Sequence, residues 1–171
     1  MRRYAVAAGI LWNGTEVLIA RRHDHDHQGG RWEFPGGKQD AGETIEACLR
    51  REFMEELGIE VEVGRLWRSL SHRYPDRTVT LNFFFCRHVS GEPRALEVSE
   101  WRWVLPHVLA ELEFVEGDGP VLPDLIRDLL AESGMAVIER EGWKVRVDAS
   151  PLGFGTMAAH GHCDALHVSI W

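Results

Sequence analysis

Residues 35–59 read PGGKQDAGETIEACLRREFMEELGI, and their second half has the spacing of an amphipathic α-helix. Three carboxylates of this helix, Glu52, Glu55 and Glu56, stand at spacings i, i+3 and i+4, which puts them on one helical face. Like charges stacked in this way repel, so an isolated helix avoids the arrangement. Mg²⁺ relieves the repulsion because it binds carboxylate oxygens and keeps waters or substrate phosphates in its remaining positions. The spacing therefore predicts a face that holds a metal–phosphate complex.

A solvated acidic face is the simpler interpretation of a glutamate-rich helix, and it holds for most such helices. It does not explain the other residues that stand at fixed offsets around this one. A glycine pair, Gly36 and Gly37, precedes the helix, Glu43 and Arg51 flank its first half, and Gly58 is placed to end it as a left-handed residue. We therefore prefer the metal site.

The whole pattern resembles the Nudix box. It runs Gly37-x5-Glu43-x7-Arg51-Glu52-Phe53-x-Glu55-Glu56-x-Gly58-Ile59. Every defined position of the box is matched. The similarity continues into flanking segments typical of the MutT branch, namely residues 32–38 (WEFPGGK), 74–77 (YPDR) and 91–93 (GEP). In total it covers residues 3–132, about three quarters of the chain.

This resemblance implies a Nudix fold of the α/β (α+β) class, with a mixed sheet sandwiched between helices. It also implies a nucleoside triphosphate pyrophosphohydrolase that depends on Mg²⁺, for which Mn²⁺ can substitute. Several MutT-like proteins of this kind remove oxidised nucleotides from the precursor pool. We expect residues 1–133 to form the hydrolase domain. Residues 134–171 lie outside the resemblance, and we expect a short β-rich extension that adds strands to the same domain or packs on it.

Hydrolysis of a phosphoric anhydride requires charge neutralisation, alignment and a positioned base. By resemblance, Glu52 is the candidate base for activating water, and it also belongs to the metal site. Glu55 and Glu56 are the expected metal ligands, together with a backbone carbonyl at Gly37. The glycine pair with Gly36 lets the backbone approach the metal and the phosphates closely, which a Cβ would obstruct.

Two further parts of the predicted site lie at its edges. Arg51 and Glu43 are expected to pair and to hold the loop against the helix, a structural task inside the catalytic motif. A fourth carboxylate is expected from the acidic segment ahead of the late strand. We favour Glu97 as this metal ligand or alternative base, and its neighbour Glu100 is the other candidate.

The candidates for substrate contacts are Arg22, Phe34, Lys38, Asp76, Arg77 and Asp118. Arg22 follows a strand where MutT-like enzymes present an arginine to the nucleotide, although an ordinary surface arginine explains it nearly as well. Phe34 either packs under the base or fills the core, and Lys38 ends the MutT-like lead-in. A base or sugar contact is expected from the turn that contains Asp76 and Arg77, whose sequence is also ordinary turn chemistry.

Asp118 departs from the pattern of MutT, which has asparagine at the corresponding place. Asparagine both donates and accepts hydrogen bonds, whereas an ionised aspartate only accepts. Such an acceptor can bind the N7–H of 8-oxoguanine, which guanine lacks, or the exocyclic amine of cytosine or adenine. Some MutT relatives that act on cytosine nucleotides also carry aspartate here. The residue thus leaves both substrates open.

The composition agrees with an enzyme of this kind. The chain has 171 residues, 44% of them hydrophobic, which is enough for one well-packed domain. Its net charge of −8 disfavours nucleic acid and anionic membranes as partners, so the expected partner is a small nucleoside triphosphate. Three cysteines without a pairing pattern favour a reducing cytoplasm, and no segment reaches the roughly 20 apolar residues of a membrane helix. We expect a cytoplasmic monomer or homodimer.

Hydrophobic periodicity and turn residues predict the order of the elements. The predicted strands are 5–12, 17–20, 32–34, 59–63, 66–72, 78–89 and 101–104, and the predicted helices are 44–57, 106–112 and 119–132. In the tail, residues 135–140 and 143–148 have the pattern of a hairpin, and residues 165–171 that of a third strand.

Histidines suggest a second metal site. His23, His25 and His27 alternate with aspartates in a loop, and residues 160–167 hold three more histidines and Cys163. Neither group has a familiar zinc spacing, so we prefer a solvated loop and a polar terminus.

The sequence leaves three functions open. The favoured one is a hydrolase that clears oxidised nucleotides such as 8-oxo-dGTP, which serves mutation avoidance. The alternative is a pyrophosphohydrolase that prefers CTP, dCTP or 5-modified cytosine nucleotides. A non-catalytic, nucleotide-sensing Nudix domain is the third, and the complete set of Glu52, Glu55 and Glu56 argues against it.

Overall fold

Strands and helices follow one another closely along the chain. A computed structural model describes residues 2–73, 75, 77–134, 136–140, 143–147 and 168–170. The elements are β1 (Arg2–Trp12), β2 (Val17–Arg21), β3 (Trp32–Glu33), β4 (Gly36–Lys38), α1 (Ile45–Leu57), β5 (Glu60–Arg73), β6 (Arg77–Ser90), β7 (Glu100–Val104), α2 (Leu122–Glu132), β8 (Ala136–Arg140), β9 (Trp143–Val147) and β10 (Val168–Ile170). Short 3₁₀ helices cover Pro106–Glu111 and Gly119–Val121. Within these residues, no helix is both long and apolar enough to cross a membrane.

The first seven strands form one mixed sheet around β1. Strand β1 pairs in parallel with β6 along nearly its whole length, and it pairs antiparallel with β2 and β4 on its other edge. Strand β5 continues the sheet beyond β6, while β3 and β7 both pair with β2. This sheet confirms the predicted α/β (α+β) class.

One face of β1 is covered by α1. Ala7 and Leu11 of the strand are fully buried in one core with Leu49 and Phe53 of the helix. A Cβ at Gly9 would lie 2.3 Å from Cε2 of Phe53, so the helix rests directly on the strand at this glycine. The carboxylates of α1 are therefore held at a fixed height above the sheet.

The opposite face of the sheet carries an aromatic cluster. Phe83 of β6 stands beside Ala8 of β1, one residue out of phase with the side chains under α1. The ring of Phe34 meets Phe83 edge to face at 6.4 Å, and Trp67 meets Phe83 in the same way at 6.3 Å. The predicted metal helix and these aromatic side chains thus occupy opposite faces.

Helix α1 has clear signals at both ends. Thr44 is its N-cap, and the hydroxyl oxygen accepts the N–H of Ala47 at 3.1 Å. Gly58 ends it in the left-handed conformation with φ 68°, and its N–H bonds the carbonyl of Met54 at 3.0 Å. The predicted bounds are confirmed.

Two predicted elements were wrong in detail. The predicted strands 59–63 and 66–72 are one strand, β5, because register shifts between Val63 and Arg68 absorb the extra residues without ending the pairing. The predicted helix 106–112 is a 3₁₀ helix, in which Val108 bonds the carbonyl of Leu105. The glycine pair lies in a further strand, β4, because the backbone of Gly36–Lys38 pairs with β1.

The chain divides into two compact units, Met1–Leu122 and Pro123–Trp171. The second unit contains α2 and an antiparallel sheet in the order β10-β9-β8, which confirms the strands predicted in the tail. These described tail strands pair with one another in a sheet of their own. The predicted domain boundary at 133/134 stays a prediction, and the unit boundary falls eleven residues earlier.

Candidate active site

Strand β4 brings two glycines against the carboxylates of α1. Gly36 donates its N–H to Oε2 of Glu56 at 3.2 Å. A Cβ at Gly37 would lie 2.3 Å from Oε1 of Glu52, and one at Gly36 would lie 2.0 Å from the carbonyl oxygen of Ala7. Only residues without a side chain allow this approach, as the glycine pair predicts.

The antiparallel ladder determines where the carbonyls of β4 point. Gly9 donates its N–H to the carbonyl of Pro35 at 2.8 Å. Two residues along, Gly37 stands opposite Ala7 and takes the same hydrogen-bonding edge, because bonded pairs recur at every second residue. The Gly37 carbonyl is therefore directed at β1, whereas the backbone of Gly36 faces α1. The sequence analysis named Gly37 as the source of the carbonyl ligand, but the backbone of Gly36 is better oriented toward the carboxylates of α1.

Arg51 lies at the centre of an ion-pair network. Its Nη2 is 2.8 Å from Oε1 of Glu43, and its Nη1 is 2.8 Å from Oε1 of Glu52 and 2.9 Å from Oε2 of Glu55. Nη2 also donates to the carbonyl of Lys38 at 3.3 Å. The predicted Arg51–Glu43 pair is present and ties the loop before α1 to the helix.

Glu43 is held in its ionised form by this network. The hydrogen bond from Arg51 and that from the backbone N–H of Asp40 lower the pKa of Glu43 to about 2. The carboxylate therefore stays charged throughout the neutral range and remains an anchor for the guanidinium.

The two carboxylates that face β4, Glu56 and Glu52, have raised pKa values, in contrast to Glu43. Burial, followed by the charges on Glu33 and Glu52, raises the pKa of Glu56 well above its ordinary value. Burial also raises the pKa of Glu52, although the hydrogen bond from Arg51 lowers it. An added cation would favour both ionised forms, since an opposite charge stabilises a carboxylate. This group of hard oxygen donors fits a divalent metal.

The carboxylates do not form a finished cage for an ion. Among the residues that the structure describes, no three His, Cys, Asp or Glu side chains lie close enough to hold a metal. The guanidinium of Arg51 instead bridges Glu52 and Glu55. A metal that binds here must therefore compete with Arg51 for these two carboxylates.

Glu97 lies next to the end of α1. Its backbone N–H donates to the carbonyl of Glu56 at 3.3 Å, and its charge contributes to the raised pKa of Glu56. Glu100, the alternative candidate, pairs with Arg102 and lies 3.9 Å from Arg21. The structure brings Glu97, and not Glu100, to the carboxylates of α1.

The loop histidines were predicted to be solvated. The rings of His23 and His25 stack at 5.3 Å, and the loop contributes no metal-binding group within the described part of the chain. The C-terminal histidines and Cys163 lie outside the described residues.

A second acidic region is centred on Asp118, whose carboxylate contacts the backbone of Phe34. The side chain of Asp118 is 5% exposed, and Oδ2 accepts the N–H of Phe34 at 2.9 Å. Burial raises the pKa of Asp118 to about 7, and the bond from Phe34 and the charge of Arg22 oppose this only in part. Phe34 itself is 2% exposed, so its ring fills the core while its backbone holds Asp118.

Glu33 is a site residue that the sequence reasoning missed. Its Oε1 lies 3.4 Å from Nε of Arg22, whose Nη1 donates to the carbonyl of His27 at 2.8 Å. Burial raises the pKa of Glu33 to about 7, Arg22 lowers it and Asp118 raises it further. The available signal was strand alternation, because Trp32 and Phe34 are buried on one face and Glu33 must point to the other.

The remaining predicted substrate residues are more scattered. Nζ of Lys38 lies 4.0 Å from the ring centre of Tyr4. Arg77 begins β6, and six residues of strand, about 20 Å, separate it from Phe83. The structure therefore does not bring Arg77 next to the aromatic cluster. Asp76 lies outside the described residues.

Comparison with known proteins identifies the family. The family model for the NUDIX domain matches residues 1–125. The chain belongs to the Nudix hydrolase family. The predicted Nudix fold is thereby confirmed, and this Nudix hydrolase is a pyrophosphohydrolase. Nudix hydrolases generally need a divalent metal.

Three relatives illustrate the similarity. This Nudix hydrolase is 35% identical over 128 residues to the 8-oxo-dGTP diphosphatase of Escherichia coli K12, which covers 74% of this chain and 99% of that protein. It is 31% identical to the CTP pyrophosphohydrolase of the same organism, over 71% of this chain and 90% of that one. The solution structure of the E. coli ORF135 protein superposes with a TM-score of 0.66 at 29% identity, over 77% and 94% of the two chains.

Proposed function

We propose that this Nudix hydrolase cleaves ribo- or deoxyribonucleoside triphosphates to a monophosphate and pyrophosphate, with a preference for oxidised nucleotides such as 8-oxo-dGTP. Mg²⁺ is the proposed metal, and Mn²⁺ is expected to substitute. The observation that carries the proposal is the packing of Gly36 and Gly37 against Glu56 and Glu52, two carboxylates whose pKa values are raised by burial. The relative named 8-oxo-dGTP diphosphatase supports the substrate.

Four carboxylates would hold the metal, with a backbone carbonyl from the glycine pair. They are Glu52, Glu55, Glu56 and Glu97, and the orientation of β4 favours the carbonyl of Gly36 over that of Gly37. When bound, Mg²⁺ would neutralise phosphate charge and lower the pKa of a bound water. Arg51 would keep its bonds to Glu43 and so continue to hold the loop.

Glu52 is the proposed base. Its half-buried carboxylate takes the proton of the attacking water, whose oxygen forms a new bond to phosphorus as the bridging P–O bond breaks. Triphosphate and water thereby give monophosphate and pyrophosphate, and the released proton stays on Glu52 until solvent removes it. Glu97, next to Glu56, is the alternative base.

Asp118 is the proposed base-reading residue. The N–H of Phe34 occupies Oδ2, and Oδ1 makes no hydrogen bond to the residues that the structure describes. That oxygen is available to accept the N7–H of 8-oxoguanine. Arg22 and Glu33, which pair beside it, would form the adjoining wall of the nucleoside site.

A cytosine nucleotide is the second candidate substrate. The same oxygen of Asp118 can accept a hydrogen bond from the exocyclic amine of cytosine, and the relative named CTP pyrophosphohydrolase supports this alternative. In either case we propose a monomer or homodimer that does not bind nucleic acid, which the net charge of −8 supports.

The test is a substrate panel with product identification. We would measure kcat/KM with Mg²⁺ for 8-oxo-dGTP, dGTP, 2-hydroxy-dATP, CTP and 5-methyl-dCTP, and resolve monophosphate and pyrophosphate by chromatography, with EDTA as the control. A strong preference for 8-oxo-dGTP supports nucleotide-pool sanitation. A preference for a cytosine nucleotide keeps the chemistry and replaces the substrate. Failure to release pyrophosphate from any of them would contradict the proposal.

A further inference from the structure

Cys48 contacts both the strand and the arginine that form the proposed site. Its side chain is fully buried in the core between α1 and the sheet. Sγ donates to the carbonyl of Gly37 at 3.6 Å, and Nη2 of Arg51 donates to Sγ at 3.6 Å. The thiol thus bridges β4 and the ion-pair network of α1.

The position of Cys48 on the helix relates it to the two glutamates that face β4. Cys48, Glu52 and Glu56 stand at i, i+4 and i+8, so their side chains form a single row along α1. All three members of the row meet the glycine pair. Cys48 and Glu52 lie against Gly37, and Glu56 accepts the N–H of the preceding glycine. The strand is therefore held at both ends of the row.

The chemical state of the thiol suits this contact. Burial, with the charge on Glu43, raises the pKa of Cys48 to about 12. The group is therefore a protonated thiol near neutral pH and remains a hydrogen-bond donor. A buried cysteine that served only as a small apolar filler would need neither of the two polar contacts.

We propose that Cys48 is a positioning residue, whose thiol holds the Gly37 segment and Arg51 in place and so sets the spacing between the β4 backbone and the metal-binding carboxylates. This inference rests on the proposed metal-dependent hydrolysis. It concerns a position of the motif that can be any residue, and it assigns no contact with substrate or metal to the sulfur.

The test compares a variant that keeps the donor with one that removes it. Cys48→Ala loses the hydrogen bond, whereas Cys48→Ser keeps a hydroxyl donor, on a slightly shorter side chain, that can bond the same carbonyl. Outer partners of a metal site typically change metal affinity by about 10–100-fold when lost. Cys48 contacts the neighbour of the proposed ligand Gly36 and not the ligand itself, so we expect Cys48→Ala to weaken Mn²⁺ binding about tenfold, at the low end of that range. Its kcat should fall by a similar factor with little change in the KM of the nucleotide, while Cys48→Ser stays within about twofold of wild type. Mn²⁺ affinity is read from the EPR signal of the free ion.

Cys86 provides the matched control. It is also buried, but its Sγ donates to the carbonyl of Phe84 in the same strand at 3.7 Å. Cys86→Ala and Cys86→Ser should leave Mn²⁺ affinity unchanged, whatever they do to Tm. A packing role for Cys48 predicts the reverse order, because serine suits an apolar site less well than alanine.

Wild-type Mn²⁺ affinity in Cys48→Ala, or equal losses in Cys48→Ala and Cys48→Ser, would overturn the inference. If Cys48→Ala does not fold, Cys48→Val takes its place, since valine fills the space without a donor. Absence of nucleotide turnover in the wild type would count against the proposed function, and the Mn²⁺ comparison would still decide the role of Cys48.

Discussion

The two acidic regions of this Nudix hydrolase balance their charges in different ways. At α1, the guanidinium of Arg51 lies within hydrogen-bond distance of Glu52 and Glu55 and compensates part of their charge. At the other region, Asp118 receives only the neutral N–H of Phe34, and its pKa rises to about 7. The first region already uses a cation, and a metal can take over that task. In the second, burial allows Asp118 to carry a proton near neutral pH, which suits the reading of a base by hydrogen bonds.

The largest effect on activity is expected from a substitution of Glu52 in the first region. Glu52→Gln keeps the shape of the side chain and removes the base and a negative ligand, so we expect kcat to fall by about 10³-fold. Folding should be preserved, because glutamine can still accept the hydrogen bond from Arg51. Steady-state kinetics and circular dichroism measure the two effects.

Glu46→Gln, in the first turn of the same helix, is the control for loss of charge alone and should keep nearly full activity. Turnover of Glu52→Gln near the wild-type rate would refute the assigned role. A much larger loss in Glu97→Gln than in Glu52→Gln would transfer the role of base to Glu97.

Gly37→Ala should give the next largest effect. The new Cβ would lie 2.3 Å from Oε1 of Glu52, so the carboxylate must move while the backbone stays. A displacement of about 1 Å in a catalytic group costs about 100-fold in rate, and we expect a loss of kcat of that size with little change in Tm.

Gly36→Ala is the comparison for Gly37→Ala, because its new Cβ meets the backbone and not a side chain. Its Cβ would meet the backbone oxygen of Ala7 at 2.0 Å, and a backbone atom in a sheet cannot rotate away. This variant should lose stability as well as activity. Equal activity of Gly37→Ala and wild type would show that Glu52 does not need its present position.

The two regions also differ in how far the sequence predicts them. The α1 region comes from one continuous segment in which motif spacing, N-cap and glycine stop all agree, so Glu52, Glu56 and the Arg51–Glu43 pair could be placed without a structure. The orientation of Gly36 depends on the ladder with β1, which no local pattern contains.

The Asp118 region is assembled from residues far apart in the chain. Asp118 meets Phe34 across 84 positions of sequence, and the burial that raises the pKa of Glu33 comes from tertiary packing. Periodicity places Phe34 in a strand but cannot state which backbone group meets which carboxylate. The sequence therefore predicts the metal ligands better than it predicts the residues that contact the substrate.

Asp118→Asn tests the base-reading role with a smaller effect. Asparagine adds a donor where the carboxylate accepts, so the ratio of kcat/KM between 8-oxo-dGTP and CTP should change about tenfold. The rate on the better substrate should change much less. Glu116→Gln, an exposed neighbour, is the control and should leave the ratio unchanged. Equal losses for every nucleotide in Asp118→Asn would remove Asp118 from base recognition.

The smallest expected effect is on stability as a function of pH. The pKa of Asp118 is raised to about 7 in the folded protein, so between about pH 4 and pH 7 the folded chain keeps a proton that the unfolded chain has released. Its contribution to stability is therefore present at low pH and is lost as the pH rises through the folded pKa. Asparagine has no proton to lose, so the Tm of Asp118→Asn relative to wild type should rise by about 2–5 °C between pH 5 and pH 8.5.

The same scan with Glu116→Gln should show a constant difference from wild type. If Asp118→Asn also shows a constant difference, Asp118 is ionised in the folded protein at neutral pH and offers a base acceptors only. If the difference grows with pH, the neutral acid is populated near pH 7 and can donate as well as accept, as asparagine does. The pH scan thus decides whether a proton on Asp118 balances the second acidic region, in the way that Arg51 balances Glu52 and Glu55 in the first.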